Sequence, residues 1–152
     1  MRRLFAAAIG SAGLAALLMG CSSSSGSTAQ VSAGSGTEVQ VDGKPLQGLD
    51  TNTVTCVRQA GQIKIASGAV SGQQGLAVVM SDANPPQVQS LAMLVDGNML
   101  GVSNTGGPSA GSADVKVNGD TYTITGQAAG ADIKNPMAGI VSKPFSIKVN
   151  CH

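Results

Sequence analysis

Val115-Lys116-Val117-Asn118-Gly119-Asp120-Thr121-Tyr122-Thr123-Ile124-Thr125 is the stretch that settles the fold. Val115 and Val117 alternate with polar neighbours, and so do Tyr122 and Ile124. A period of two places every second side chain on one face of a strand. Asn118-Gly119 stands between the two runs. Asn-Gly adopts positive φ at both central residues of a two-residue turn at low steric cost, and such a turn matches the twist of paired strands. The stretch therefore reads as an antiparallel hairpin with one apolar face.

The same pattern extends outward. Downstream, Phe145, Ile147 and Val149 alternate with Ser146, Lys148 and Asn150. Upstream, Val88 to Val95 and Met99 to Val102 flank the turn signal Asp96-Gly97-Asn98. Leu76 to Met80 is a short continuous apolar run, which fits a strand buried on both faces. Gln59-Ala60-Gly61-Gln62 separates Thr53 to Val57 from Ile63-Lys64-Ile65 as a further hairpin, and Val39 and Val41 precede an Asp42-Gly43 turn. No window sustains a helical period, and 21 glycines leave little room for long helices. Pro85-Pro86 and Pro136 belong in loops or at edges, because proline cannot donate to a ladder. The expected fold is all-β: an antiparallel sandwich or small open barrel of about eight short strands.

A targeting segment precedes this domain. Arg2 and Arg3 form a cationic start, and Leu4 to Leu18 is uncharged and apolar. That run has the length of a secretory signal and is too short to span a bilayer stably. Leu18-Met19-Gly20-Cys21 then reads as a lipobox, with cleavage between Gly20 and Cys21. Gly20 supplies the small residue at the cut. Met19 departs from the usual Ala, Ser or Thr. The chemistry requires Cys21 because a thiolate, unlike a serine hydroxyl, is readily alkylated by a diacylglycerol donor. Its freed α-amino group can take a further acyl chain, and two or three chains hold a protein firmly where one does not. Ser22 to Gly36 lacks a periodic apolar face and reads as a Ser/Gly tether. The expected division is residues 1–20 as signal peptide, 21–37 as acylated cysteine and tether, and 38–152 as β-domain. An exported, lipid-anchored, extracytoplasmic location in the cell membrane or outer envelope follows.

Composition removes several function classes. Nine Lys/Arg against eight Asp/Glu give a net charge of +1, and loss of Arg2 and Arg3 on cleavage leaves −1. A near-neutral chain has no electrostatic footprint for nucleic acid. Past the signal only Tyr122 and Phe145 are aromatic, which leaves no stacking platform for bases or sugars. The one histidine, His152, is the last residue, so no internal Ser–His or Cys–His nucleophile system is available. Asp96, Asp120 and Asp132 sit beside turn residues and read as turn caps. Neither they nor Asp114 have the spacing of a calcium loop, so no metal and no cofactor are expected. Lys44, Lys64, Lys116 and Lys148 read as solvated, edge-protecting lysines. With Cys21 lipidated, Cys56 and Cys151 are the only pair left. An oxidising compartment makes a structural disulfide their default, and no CxxC spacing marks a reactive pair.

Several short stretches stand apart from the strand pattern: Val39-Gln40-Val41-Asp42-Gly43-Lys44, Val54-Thr55-Cys56 and Asp82-Ala83-Asn84-Pro85-Pro86-Gln87-Val88. Tyr122-Thr123-Ile124-Thr125-Gly126, Asn135-Pro136-Met137 and Phe145-Ser146-Ile147-Lys148-Val149-Asn150-Cys151 complete the set. Together with the lipobox and the serine-rich tether, they make the chain resemble the mycobacterial 19-kDa lipoprotein antigen family over nearly its whole length. The resemblance implies an acylated lipoprotein exposed at the cell surface and recognised by the host as an antigen, with Toll-like receptor 2 engaged through the acylated N-terminus. It implies Cys21 as the acylated position and Cys56 with Cys151 as the matching cysteine pair. Tether glycosylation in the family goes with Thr-rich linkers, whereas this one carries only Thr28 and Thr37.

The expected function is thus a membrane-anchored envelope antigen without catalysis. The alternative is a carrier or binding module for a small hydrophobic or lipid ligand, its adaptable pocket lined by Met80, Met93, Met99 and Met137.

Overall fold

A computed structural model of the chain describes residues 29–68, 75–105 and 110–152. Ten strands form among them, and every pairing is antiparallel. They are β1 (Gln30–Val41), β2 (Lys44–Pro45), β3 (Thr55–Gln59), β4 (Gln62–Ser67) and β5 (Leu76–Ser81), followed by β6 (Val88–Val95), β7 (Asn98–Ser103), β8 (Ser112–Asn118), β9 (Thr121–Asp132) and β10 (Val141–Cys151). Two single 3-10 turns, Thr51–Thr53 and Pro136–Ala138, are the helical pieces of the described chain.

The sheet runs β10-β1-β3-β4-β5-β6-β7-β9, and β9 pairs back onto β10, so it curls into a ring. β9 carries three neighbours. β10 runs along one edge, while β8 takes the first half of the other edge and β7 the second. Two glycines make this junction fit. A Cβ on Gly126 would lie 1.9 Å from the Ser112 carbonyl oxygen, and one on Gly130 1.8 Å from that of Met99. Glycine in a strand marks such close backbone approach. Gly126 pairs with Phe145 across the ladder to β10.

The ring is filled by the inward half of each alternation. Ile65, Met80, Leu100, Ile124, Ile147 and Val149 are completely buried. Two bulges keep the apolar residues pointing inward. In β1 one extra residue lies between Ser35 and Glu38, where Gly36 has φ +56. The parity flips there, from Gly34 inward to Val39 and Val41 inward. In β6 the register shifts opposite Val79/Met80, which lets Val88 and Leu91 both face the core.

Three sequence expectations are corrected in detail, and three expected turns gain a conformation. The Ser22–Gly36 tether and the 37/38 boundary overrun into the fold, because β1 already begins at Gln30. Its first half pairs with β3 through backbone hydrogen bonds, and small side chains do not prevent that. The Val115–Thr125 hairpin forms, but its loop is Gly119-Asp120 instead of Asn118-Gly119. Only Gly119 has positive φ there, as in a turn with glycine at its first central position. The observed register sets Val117 against Tyr122 and Val115 against Ile124, apolar against apolar. Leu76 to Met80 is buried on one face only, since Ala77 is exposed and Val79 half-buried on the other. Finally, Asp42-Gly43, Ala60-Gly61 and Asp96-Gly97 hold positive φ at both residues, and Ala60 does so without the help of a polar side chain.

Candidate functional site

Gly20 and Cys21, the expected cleavage site and acylation position, lie outside the described residues. The described chain enters the ring at Gln30, nine positions after Cys21. That stretch spans at most about 30 Å.

Gln30 opens at the end of the ring where the chain also finishes, and the two cysteines meet there. Cys56 on β3 and Cys151 on β10 form a disulfide with a Cα–Cα distance of 5.7 Å and a sequence separation of 95. β1 lies between them, with Ser32 opposite Cys56 and Gly34 opposite Cys151. The bond thus clamps β3 to β10 where β1 changes partners. Gly34 donates its N–H to the Val54 carbonyl at 2.8 Å, and a Cβ in its place would meet the Val54 side chain at 2.4 Å.

A surface cleft of about 270 Å³ opens beside the disulfide, lined in part by Ser32, Arg58, Asp120 and His152. Arg58 donates through Nη2 to the Tyr122 hydroxyl at 2.5 Å and stands 3.5 Å from Asp82. Its charge is therefore already partnered. His152 lies 3.4 Å from Ser35 Oγ, but the same Nδ1 is 2.8 Å from Asn150 Oδ1. An Nδ1–H donating to that amide oxygen is not free to take the serine proton, so the pair is not a nucleophile and its base.

The remaining candidates disperse. Asp96 sits in its hairpin turn, Asp132 Oδ1 accepts from the Lys134 N–H at 2.8 Å, and the Asp120 carbonyl accepts from the Cys151 N–H at 2.9 Å. Among the described residues no three His, Cys, Asp or Glu side chains converge on a metal position. Lys44, Lys64, Lys116 and Lys148 are all exposed on strands. The methionine-lined pocket does not form. Met80 and Met93 fill the core, whereas Met99 and Met137 lie outside it. The described clefts are open depressions on the surface of the ring. No helix among the described residues is long and apolar enough to cross a membrane.

The sequence reading missed an exposed apolar tip. The β9–β10 connection presents Ile133, Met137 and Ile140 to solvent. The signal was the presence of large apolar residues between the turn formers Asp132, Asn135, Pro136 and Gly139.

Comparison with known proteins gives one consistent result. Residues 30–151 match the family described as Mycobacterium 19 kDa lipoprotein antigen. A putative lipoprotein of Mycobacteroides abscessus is 55% identical over 152 residues, covering 99% of each chain. Lipoprotein LpqH of Mycobacterium tuberculosis is 40% identical over 164 aligned positions, covering 99% of this chain and 98% of that one. Lipoprotein LpqH of Mycobacterium avium is 41% identical over 119 residues, 77% of this chain and 69% of its own. With an all-β ring and a disulfide that joins the two cysteines the sequence singles out, the chain belongs to the Mycobacterium 19 kDa lipoprotein antigen family.

Proposed function

We propose that the protein is an envelope lipoprotein moored by acyl chains on Cys21, displayed at the cell surface, and without catalytic activity of its own. Its family is one of lipoprotein antigens. The observation that carries the reading is the order of parts: a cationic start, an apolar run, Leu18-Met19-Gly20-Cys21, then within nine residues the first strand of a disulfide-clamped ring. A disulfide clamp suits an oxidising, extracytoplasmic setting. Host recognition would then rest on the acylated N-terminus engaging Toll-like receptor 2, with the ring carried alongside. The carrier reading gains no support from a ring filled by its own side chains.

Mass spectrometry of the membrane-extracted protein tests this directly. Cys21 should be the N-terminal residue and should carry the mass of two or three acyl chains. A mature N-terminus elsewhere, or an unmodified Cys21, would refute the reading.

A further inference from the structure

The outside of the ring has two different sides. Around β8 and β10 the outward positions are polar or charged, as Asp114, Lys116, Ser146 and Lys148 show. Across β5, β6 and β7 they carry no charge: Ala77, Val79 and Ser81, then Ser90, Ala92 and Leu94, then Met99, Gly101 and Ser103, so that serines are confined to the half away from the β9–β10 loop and the half next to it is apolar. In register, Ala77, Ala92 and Gly101 lie side by side, and Leu94 faces Met99, which in turn faces Ala131. A solvated antiparallel face is normally polar at these positions.

This flank leads to the β9–β10 loop, where Ile133 is 55%, Met137 92% and Ile140 84% exposed. The loop is built, not frayed. The Ile133 N–H donates to the Gly97 carbonyl at 3.0 Å, and the Ala138 N–H to the Asn135 carbonyl at 3.0 Å. Apolar side chains held out in this way mark a contact surface.

The short reach of the anchor says what covers it. Gln30 enters at one end of the ring, and the loop lies at the other, because β9 and β10 pair from Thr121/Asn150 to Gly130/Val141. At about 3.3 Å per residue that separation is roughly 30 Å. The nine positions from Cys21 to Gln30 reach no more than about 30 Å. β1, where the segment enters, stands across the ring from β6, so a ring reclined on this flank holds Gln30 roughly 20 Å above the bilayer, within that reach. The bilayer is therefore the apolar phase at the highest effective concentration. We propose that the uncharged flank of β5–β7 and the Ile133, Met137 and Ile140 tip lie against the surface of the membrane that holds Cys21. The inference rests on the anchor reading above.

The chain contains no Trp, so an introduced one reports alone. The acylated full chain, carrying Ile140→Trp or, separately, Met137→Trp, is reconstituted into phosphatidylcholine vesicles with plain or bromine-labelled acyl chains. Lys116→Trp, on the polar side, serves as the reference. Emission from the two tip variants should fall about twofold or more in brominated vesicles, and that from Lys116→Trp should change little. Vesicle flotation is read on each sample. A chain that floats while its tip tryptophans are unquenched overturns this inference alone. The same holds if they shift to the blue without quenching, which would mean burial against a second copy, or if Lys116→Trp is the more strongly quenched. A chain that fails to float overturns the anchor reading and this inference with it.

Discussion

Opening the Cys56–Cys151 bond should destabilise the ring by an amount set chiefly by the length of chain it closes. The two cysteines are 95 positions apart. In the chain-entropy model a loop of that length restricts the unfolded state by about 4–5 kcal/mol. That is a large share of the roughly 5–15 kcal/mol that holds a typical domain together. For a domain of this size each kcal/mol moves the midpoint by roughly 4 °C, so the reduced protein should melt about 15–20 °C lower. The effect should also be local before it is global. β1 separates β3 from β10 at the clamp, so freeing the sulfurs should expose the N–H of Gly34, whose hydrogen bond to the Val54 carbonyl lies beside it. The assay is thermal and urea unfolding followed by circular dichroism. Oxidised protein is compared with reduced protein and with the Cys56→Ala/Cys151→Ala chain in the same detergent, alongside amide exchange at residues 30–35. A midpoint shift below about 4 °C, with unchanged exchange at Gly34, would refute the reasoning.

Other outcomes follow from single sites. Ala60 holds φ 52 in its hairpin turn, a conformation that disfavours a side chain with no local hydrogen bond, so Ala60→Asn should stabilise by about 1 kcal/mol in urea melts. Thr37 Oγ1 is buried without a partner among the described residues, so Thr37→Val should stabilise by roughly 1 kcal/mol by the same measurement. Gly126→Ala puts a methyl 1.9 Å from the Ser112 carbonyl oxygen. It should cost about 2–4 kcal/mol, and the amides of β8 should exchange first. Leu100, completely buried in the ring, should lose about 2–5 kcal/mol on replacement by Ala, read as a lowered urea midpoint.

What could be read in the sequence was whatever side-chain periodicity encodes. Val115, Val117, Tyr122 and Ile124 announce a hairpin because alternation is local. The loop position was less accessible. Moving the loop by one residue shifts the pairing by two positions and leaves every side chain on the same face, so alternation does not choose between the registers. Cross-strand contact of Val117 with Tyr122 does. The first half of β1 was hidden for a different reason. Gln30 to Gly36 offers only small and polar side chains, and its place in the sheet comes from backbone bonds to β3 and from Gly34 fitting beneath Val54. Ring closure depends on β9 meeting β10 and β10 meeting β1, long-range pairings that no short window carries. The disulfide was accessible by elimination, since one pairing remained once Cys21 was set aside. The apolar flank escaped notice because Ala77 and Val79 look like core residues until the ring assigns them an outside.

Phase separation of the full chain in detergent, with Cys21 or with Cys21→Ala, tests the proposed lipid mooring of this ring most directly. The protein with Cys21 should collect in the detergent-rich phase. The variant should move to the aqueous phase with an unchanged strand spectrum, because Cys21 lies nine positions before the ring and outside its disulfide. A variant that remains in the detergent phase would contradict the account.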